Sequence, residues 1–381
     1  MKTPVASWVT TLRAQGAGAF AAAGLPRADQ DGWRHTPLPP DLMTRFGAGV
    51  APLDVTYAGP EGLVHKLMDC YTGAVPALEW LEGLQSRPAR GPLWALANAH
   101  LRDGVAVDIP EGAALDVPLV LTLTGHDGQF LMTRTAIHLG PGARATIIEH
   151  HRGAGSYWNN RLSQIVVGQG AHLTHIRFQG NSTDAVYTQT TAVEVSGGGT
   201  YEAFNFVTGA ALSRLELHVD LLAPGAAARA HGLSLLRGSQ LADHTTTIAH
   251  RARGCESAQH LGFILDRAAR GVYQGRVRVE PGADGTDAQQ RSRAVLLSDQ
   301  ARMATQPELE IFADDVQCAH GATCGALEGS ALFYLRARGV PEAQARALLL
   351  QGFAAEVLAE VADADTRAAM EERVTTWLSA A

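Results

Sequence analysis

A cysteine and a histidine lie close together in the last third of the chain, at Cys318 and His320. Thiolate and imidazole are side chains that bind iron and other borderline-soft metals. Residues two apart in a strand point to the same face, so the two could share one ligand or one partner surface, while Ala319 points away. Taken alone, such a pair is more often a small apolar residue and a hydrogen-bonded polar residue at a strand end.

The remaining cysteines do not extend this pair into a familiar metal site. Cys324 gives the spacing Cys-x-His-x-x-x-Cys, which supplies three ligands where a structural zinc site needs four. No zinc site is therefore predicted. Cys70 and Cys255 are expected to be structural thiols, and four irregularly spaced cysteines favour reduced thiols over a disulfide framework.

Motifs that mark common enzyme classes are missing from the sequence. It contains no phosphate-binding loop of the Gly-x-x-x-x-Gly-Lys-Ser/Thr type, no Gly-x-Ser-x-Gly elbow and no His-Glu-x-x-His helix. The acidic pair Asp314 and Asp315 would point to opposite faces of a strand, so a turn or cap role is predicted for it. These observations predict a chain that is not itself an enzyme.

Composition and charge narrow the class of partner. The chain has 381 residues, of which 46% are hydrophobic and 18% charged, so it can bury a large core. A net charge of −7 and a pI near 6.1 give no general attraction to nucleic acid or to an anionic membrane. No apolar run approaches the roughly 20 residues of a membrane span. We expect a cytoplasmic protein with neither nucleic acid nor membrane as its partner.

Turn signals recur at a fixed period through the middle of the chain. Their centres lie 27 to 29 residues apart, and short β-branched runs such as residues 163–167 and 276–280 lie between them. A fixed period of this length predicts a solenoid, and a parallel β-helix with two main strands per coil fits it best. An antiparallel sandwich with evenly spaced hairpins is the alternative. The turns are Gly140-Pro141-Gly142, Gly168-Gln169-Gly170, Gly197-Gly198-Gly199, Pro224-Gly225, Arg253-Gly254 and Pro281-Gly282.

The periodic segment divides the chain into three parts. Residues 1–103 are predicted to be a helical N-terminal region, residues 104–328 the parallel β-helix, and residues 329–381 a C-terminal helical domain. Within the first part, helices are expected around residues 8–20 and 93–101, and Trp33 is expected to be a packing anchor.

Three helices are expected in the C-terminal part, over about residues 330–338, 341–361 and 365–379. Gly339 suits the position after the first helix, and Pro341 suits the first position of the second. Asp363 is a plausible cap for the third. These helices could form a small bundle or a docking surface.

Residues 309–325 and 332–340 closely resemble the signature of the SufB/SufD family of iron–sulfur cluster assembly proteins, and more specifically its SufD branch. The strong resemblance spans about residues 240–355. Two positions depart from the family pattern: Leu261 replaces an expected lysine and Ala294 an expected asparagine. The matching segments read LEIFADDVQCAHGATCG and LFYLRARGV, with GVYQG, TDAQQ and LLSD upstream.

This resemblance implies a right-handed parallel β-helix flanked by helices, in a complex with a SufB-like subunit and a SufC-like ATPase. His320 matches the family's interface histidine and would share a metal with SufB, with Cys318 as its neighbouring thiol. The nascent cluster would lie at the SufB interface and ATP would be used by SufC, so no cofactor is expected to bind this chain tightly. A homodimer is expected when SufB is absent.

The resemblance also implies that the C-terminal helices dock the SufC-like ATPase. A β-helical carbohydrate-active enzyme and a passive structural module are the alternative functions. The candidate SufC contacts are Leu332, Phe333, Tyr334, Arg338 and Phe353.

Overall fold

Two facing sheets of parallel strands form the body of the protein. The computed structural model describes residues 5–47, 49–52, 54–75 and 78–380, and it is mainly β, with a solenoid of about 8 turns between N-terminal and C-terminal helices. Each sheet has nine strands. Within the described residues the strands are β1 Asp54–Ala58, β2 Val64–Lys66, β3 Asp103–Ile109, β4 Leu119–Gly125, β5 Phe130–Leu139, β6 Arg144–Gly153, β7 Trp158–Val167, β8 His172–Gly180, β9 Val186–Val195, β10 Thr200–Val207, β11 Leu212–Leu221, β12 Ala227–Leu236, β13 Leu241–His250, β14 Glu256–Leu265, β15 Arg270–Val279, β16 Thr286–Leu296, β17 Arg302–Ile311 and β18 Val316–Gly325.

Strand pairing follows the solenoid from coil to coil. The odd-numbered strands from β3 to β17 pair in parallel in the first sheet, and the even-numbered strands from β4 to β18 pair in parallel in the second. Phe130, for example, is the Cα partner of Trp158, one coil later. Because the strands of successive coils run parallel, the predicted β-helix is confirmed and the antiparallel sandwich is wrong.

Glycines make the corners where the chain passes from the first sheet to the second. At six of these corners a glycine has φ between 61° and 81°, a left-handed conformation that costs glycine little and other residues more. The turn positions predicted from the sequence are therefore confirmed. These glycines are Gly142, Gly170, Gly198, Gly225, Gly254 and Gly282.

The two ends of the solenoid differ. At the N-terminal end, β1 pairs antiparallel with β4 and β2 pairs antiparallel with β3. At the C-terminal end, β17 pairs with β15 and β18 pairs with β16, and within the described chain neither terminal strand has a second neighbour. Each of these terminal strands is 10 residues long and leaves one row of backbone groups unpaired.

The N-terminal region covers the outer face of the first sheet. Two of its helices, α4 (Glu79–Gln85) and α5 (Pro92–Ala99), contact β5 and β7. The segment also contains the short strands β1 and β2. Trp33 is 8% exposed and stacks on Arg214, whose guanidinium carbon lies 3.9 Å from the ring centre. The prediction that Trp33 is a packing anchor is confirmed. The helices are α1 Ser7–Ala23, α2 Leu42–Phe46, α3 Leu67–Thr72, α4 Glu79–Gln85 and α5 Pro92–Ala99.

Three C-terminal helices follow the last strand: α6 Gly329–Ala337, α7 Glu342–Leu358 and α8 Ala364–Ser379. They lie close to the predicted ranges, although Pro341 is the N-cap of α7 and not its first residue. Asp363 caps α8 as predicted, because its carboxylate accepts a hydrogen bond from the Thr366 amide at 2.7 Å. Within the described residues, no helix is long and apolar enough to cross a membrane.

Helix α7 packs against the outer face of the second sheet. Buried Val357 contacts an apolar cluster that includes Leu233 and Ile264. A Cβ on Gly262 would lie 2.7 Å from a methyl group of Val357, so the helix approaches the sheet where a strand residue has no side chain.

Candidate functional site

The last strand, β18, carries Cys318 and His320 along the open end of the solenoid. Their Cα partners on β16 are Ala288 and Gln290, which are 0% and 3% exposed. These buried partners point into the solenoid, so Cys318 and His320 lie on the inward face of the last coil. The prediction that both side chains share one face is confirmed.

Cys318 is a packing residue in this structure. It is partly buried and packs against a small apolar cluster that includes Val277, Val279 and Ala288. Burial raises the pKa of the Cys318 thiol, and the nearby carboxylate of Asp287 raises it further. Because the thiolate is the form that binds metal, this environment opposes metal binding by Cys318 in the isolated chain.

His320 occupies the same face but is exposed. In the described chain, β18 has no further coil over its free edge, so the imidazole lies at the mouth of the solenoid. No three His, Cys, Asp or Glu side chains of the described residues come close enough together to hold a metal ion. A metal bound at His320 would thus need ligands from another molecule.

Cys324 lies on the same face, four residues beyond His320. At a rise of about 3.3 Å per residue, the two Cα atoms are roughly 13 Å apart, which is too far for a shared ion. Burial raises the pKa of the Cys324 thiol. This thiol instead lines a cleft of about 400 Å³ between the end of β18 and helix α7, together with Phe353.

The candidate SufC contacts fall into two groups. Phe333 and Tyr334 are 73% and 56% exposed on α6, a helix without a buried residue, and Arg338 lies 4.5 Å from the Tyr334 ring centre. Leu332 and Phe353 are partly buried and line separate clefts beside this helix. The structure thus exposes Phe333 and Tyr334 on α6, with Arg338 at its C-cap. Leu332 lies on the same helix, and Phe353 lies on the neighbouring α7.

A group of buried charges in the solenoid interior was not anticipated from the sequence. Glu149 is 0% exposed; its carboxylate accepts hydrogen bonds from Arg161 at 2.6 Å and Arg177 at 3.3 Å. Burial is the largest single influence on the Glu149 carboxyl and opposes its ionisation, but Arg161, His175 and His151 together outweigh burial and hold the pKa of the carboxyl well below its usual range. Burial lowers the pKa of His151, which lies 2.9 Å from the same carboxylate, to about 4. The sequence feature that could have indicated these buried charges is an arginine at an inward-facing position of a strand.

Gln290 was also missed by the sequence analysis. It lies one coil below His320, on the same inward face. The 28-residue period alone would have placed Ser292 there, but the last corners are longer and shift the register.

Comparison with known proteins places these features in a family. The model of the SufBD core domain of the SUF system for iron–sulfur cluster assembly matches residues 121–353. An iron–sulfur cluster assembly SufBD family protein of Synechocystis is 34% identical over 280 residues, which cover 70% of this chain and 62% of the relative. The iron–sulfur cluster assembly protein SufD of Escherichia coli is 26% identical over 366 residues, covering 89% of this chain and 86% of the relative.

A chloroplastic protein of Arabidopsis thaliana is 29% identical over 286 residues, covering 72% of this chain and 60% of the relative. The chain thus spans less than two thirds of the length of the Synechocystis and Arabidopsis proteins and most of the length of the E. coli protein. The family model matches more than half of the chain and includes the parallel coils from β5 to β18. The chain belongs to the SufBD family of iron–sulfur cluster assembly proteins.

Proposed function

We propose that this chain is a scaffold subunit that pairs with a SufB-like subunit through the open end of its solenoid. The observation that carries the proposal is the pair of free edges on β17 and β18 with His320 beside them. An uncovered strand edge of 10 residues recruits another strand unless something blocks it. Pairing at this end would place His320 in the interface. The same edge would form a homodimer when the SufB-like subunit is absent.

His320 would contribute one ligand to iron or to a nascent cluster, which is cargo of the complex. A neutral imidazole is a good ligand for iron, and the remaining ligands would come from the SufB-like subunit. Cys318 would support the strand by packing, and would become a ligand only if the interface stabilised its thiolate. This chain would carry out no bond-making step by itself.

A SufC-like ATPase would bind the C-terminal helices. Exposed aromatic side chains on α6 fit a docking surface, since Tyr and Phe are enriched in the cores of interfaces. Helix α7 connects this surface to the solenoid, because Phe353 and Cys324 line the same cleft. ATP-driven movement of the helices could thereby reach the end of β18.

The test is His320→Ala in a complex reconstituted with SufB-like and SufC-like subunits. We expect the yield of assembled cluster to fall about tenfold or more, as for loss of a metal-site residue, while the three subunits still co-purify. Cluster yield is measured by anaerobic iron analysis and visible absorption. His35→Ala, at an exposed histidine of the N-terminal region, is the matched control. An unchanged cluster yield in His320→Ala would contradict the role of this residue and favour a passive assembly module.

A further inference from the structure

The side chain of Gln290 is buried without a partner. It is 3% exposed, and neither its amide nitrogen nor its amide oxygen has a hydrogen-bond partner among the described residues. Buried amides are almost always hydrogen-bonded, because an unpaired polar group in the interior costs free energy. This amide is therefore positioned for a contact that the chain as described does not complete.

The position of Gln290 indicates which contact this is. Gln259 lies one coil below it and uses its amide oxygen to accept hydrogen bonds from Thr246 at 2.6 Å and Tyr273 at 3.2 Å. On the opposite side, toward the open end, the in-register residue is His320. In-register residues of paired strands lie about 4.8 Å apart, within reach of a long amide side chain. His320 is thus the first polar side chain that Gln290 meets toward the mouth of the solenoid.

A histidine that binds metal through one ring nitrogen usually donates a hydrogen bond from the other, and this bond fixes the tautomer and the direction of the ring. Within the described residues His320 forms no hydrogen bond of this kind, whereas Gln290 has an unused amide oxygen in the adjacent coil. His320 therefore offers an imidazole N–H that can donate, and Gln290 offers the amide oxygen that can accept it.

We propose that Gln290 is a positioning residue for His320: its amide oxygen accepts the N–H of the imidazole and leaves the other ring nitrogen unprotonated toward the partner subunit. This proposal rests on the proposed role of His320 in cluster assembly. The ring turns inward over the last coil and is thereby fixed before iron arrives. The bond involves no proton transfer to Gln290, because an amide oxygen accepts without being protonated.

The test compares Gln290→Leu, which removes the acceptor, with Gln290→Glu, which retains one. Gln289→Leu is the matched control. Gln289 immediately precedes Gln290 on β16 and points outward, where it donates a hydrogen bond to Asp287. The tautomer of His320 is read in the full-length chain by nitrogen NMR, with its signals identified by their loss in His320→Asn. Thermal unfolding shows that each variant retains the fold.

We expect one dominant His320 tautomer in the wild type, in Gln290→Glu and in Gln289→Leu, and a mixture in Gln290→Leu. Cluster yield in the reconstituted complex should fall about tenfold in Gln290→Leu and recover in Gln290→Glu. An identical tautomer ratio in the wild type and Gln290→Leu would overturn the proposal, and so would an unchanged cluster yield in Gln290→Leu. The NMR result is independent of cluster assembly, so it remains informative if His320→Ala proves the proposed function wrong.

Discussion

Glu149 illustrates how one buried carboxylate stabilises neighbouring buried charges in the interior of the solenoid. Its carboxylate is fully buried but lies among cationic donors: Arg161, at 2.6 Å, and Arg177, at 3.3 Å, are buried with it. Burying a charge is costly, and it is tolerated when the charge is paired and hydrogen-bonded. Removing the one carboxylate would leave two guanidinium groups without this counter-charge.

At this scale we predict that Glu149→Gln strongly destabilises the protein. Breaking a buried ion pair by removing one partner costs about 3–5 kcal/mol, because an uncompensated charge stays inside. Urea unfolding measures the change. Glu202→Gln is the control: Glu202 pairs with Arg229 at 2.9 Å on the outer face of the same sheet, and such partly exposed pairs contribute about 1 kcal/mol or less. If both variants lost the same free energy of unfolding, the buried pairing of Glu149 would contribute no more than the partly exposed pairing of Glu202.

Among the elements, helix α6 differs from the two helices after it. Buried residues of α7 and α8, including Val357 and Met370, belong to a cluster on the outer face of the second sheet, whereas α6 has none. Substitutions on α6 therefore test docking without disturbing the core. Deleting all three helices would instead uncover an apolar sheet face.

We predict that Phe333→Ser with Tyr334→Ser abolishes co-purification of the SufC-like ATPase and leaves pairing with the SufB-like subunit intact. Both side chains are more than half exposed, so their replacement removes interface area at little cost to the fold. Affinity purification followed by mass measurement of the complex gives the result. Tyr57→Ser changes a similarly exposed aromatic residue, 52% accessible on β1, and should have no effect. Retention of SufC in the double variant would place its docking site elsewhere.

The sequence predicted the elements better than their contacts. The corner glycines were predictable because a left-handed turn restricts the residue type, and the cap of α8 was predictable because Asp363 is a good N-cap residue. The approach of α7 to Gly262 was not predictable, since it depends on which sheet face the helix covers. The placement of Gln290 under His320 was missed because the last corners depart from the 28-residue period.

On the scale of the whole molecule, the protein buries many histidines that stay neutral. Burial lowers the pKa of His151, His175, His244 and His250 to about 4, against about 6.5 in an unfolded chain. These residues bind protons more readily when the chain is unfolded, so protonation at low pH favours the unfolded state. At higher pH they are neutral in both states and do not oppose folding.

We therefore predict that stability falls as the pH drops from about 6.5 toward 4. Each proton bound only by the unfolded state lowers the free energy of unfolding by about 1.4 kcal/mol per pH unit. Urea midpoints between pH 7.5 and 5 would measure the slope. His244→Gln removes one titrating group, whose ring accepts from or donates to Ser234 at 2.9 Å, and should flatten that slope; exposed His35→Gln should not. A slope that stays the same in His244→Gln would show that this histidine does not contribute.

The difference between the two ends of the solenoid determines what kind of assembly this chain can join. Its free 10-residue edges lie at one end, whereas the other end finishes in antiparallel strands of 5 and 3 residues, which are too short to template such an edge along its length. Head-to-tail stacking would produce an unlimited filament, and this mismatch opposes it. Pairing of two open ends, as proposed above, would use both of them, so growth would stop at a pair of solenoids. In that assembly, the geometry that exposes His320 would also protect the protein from polymerisation.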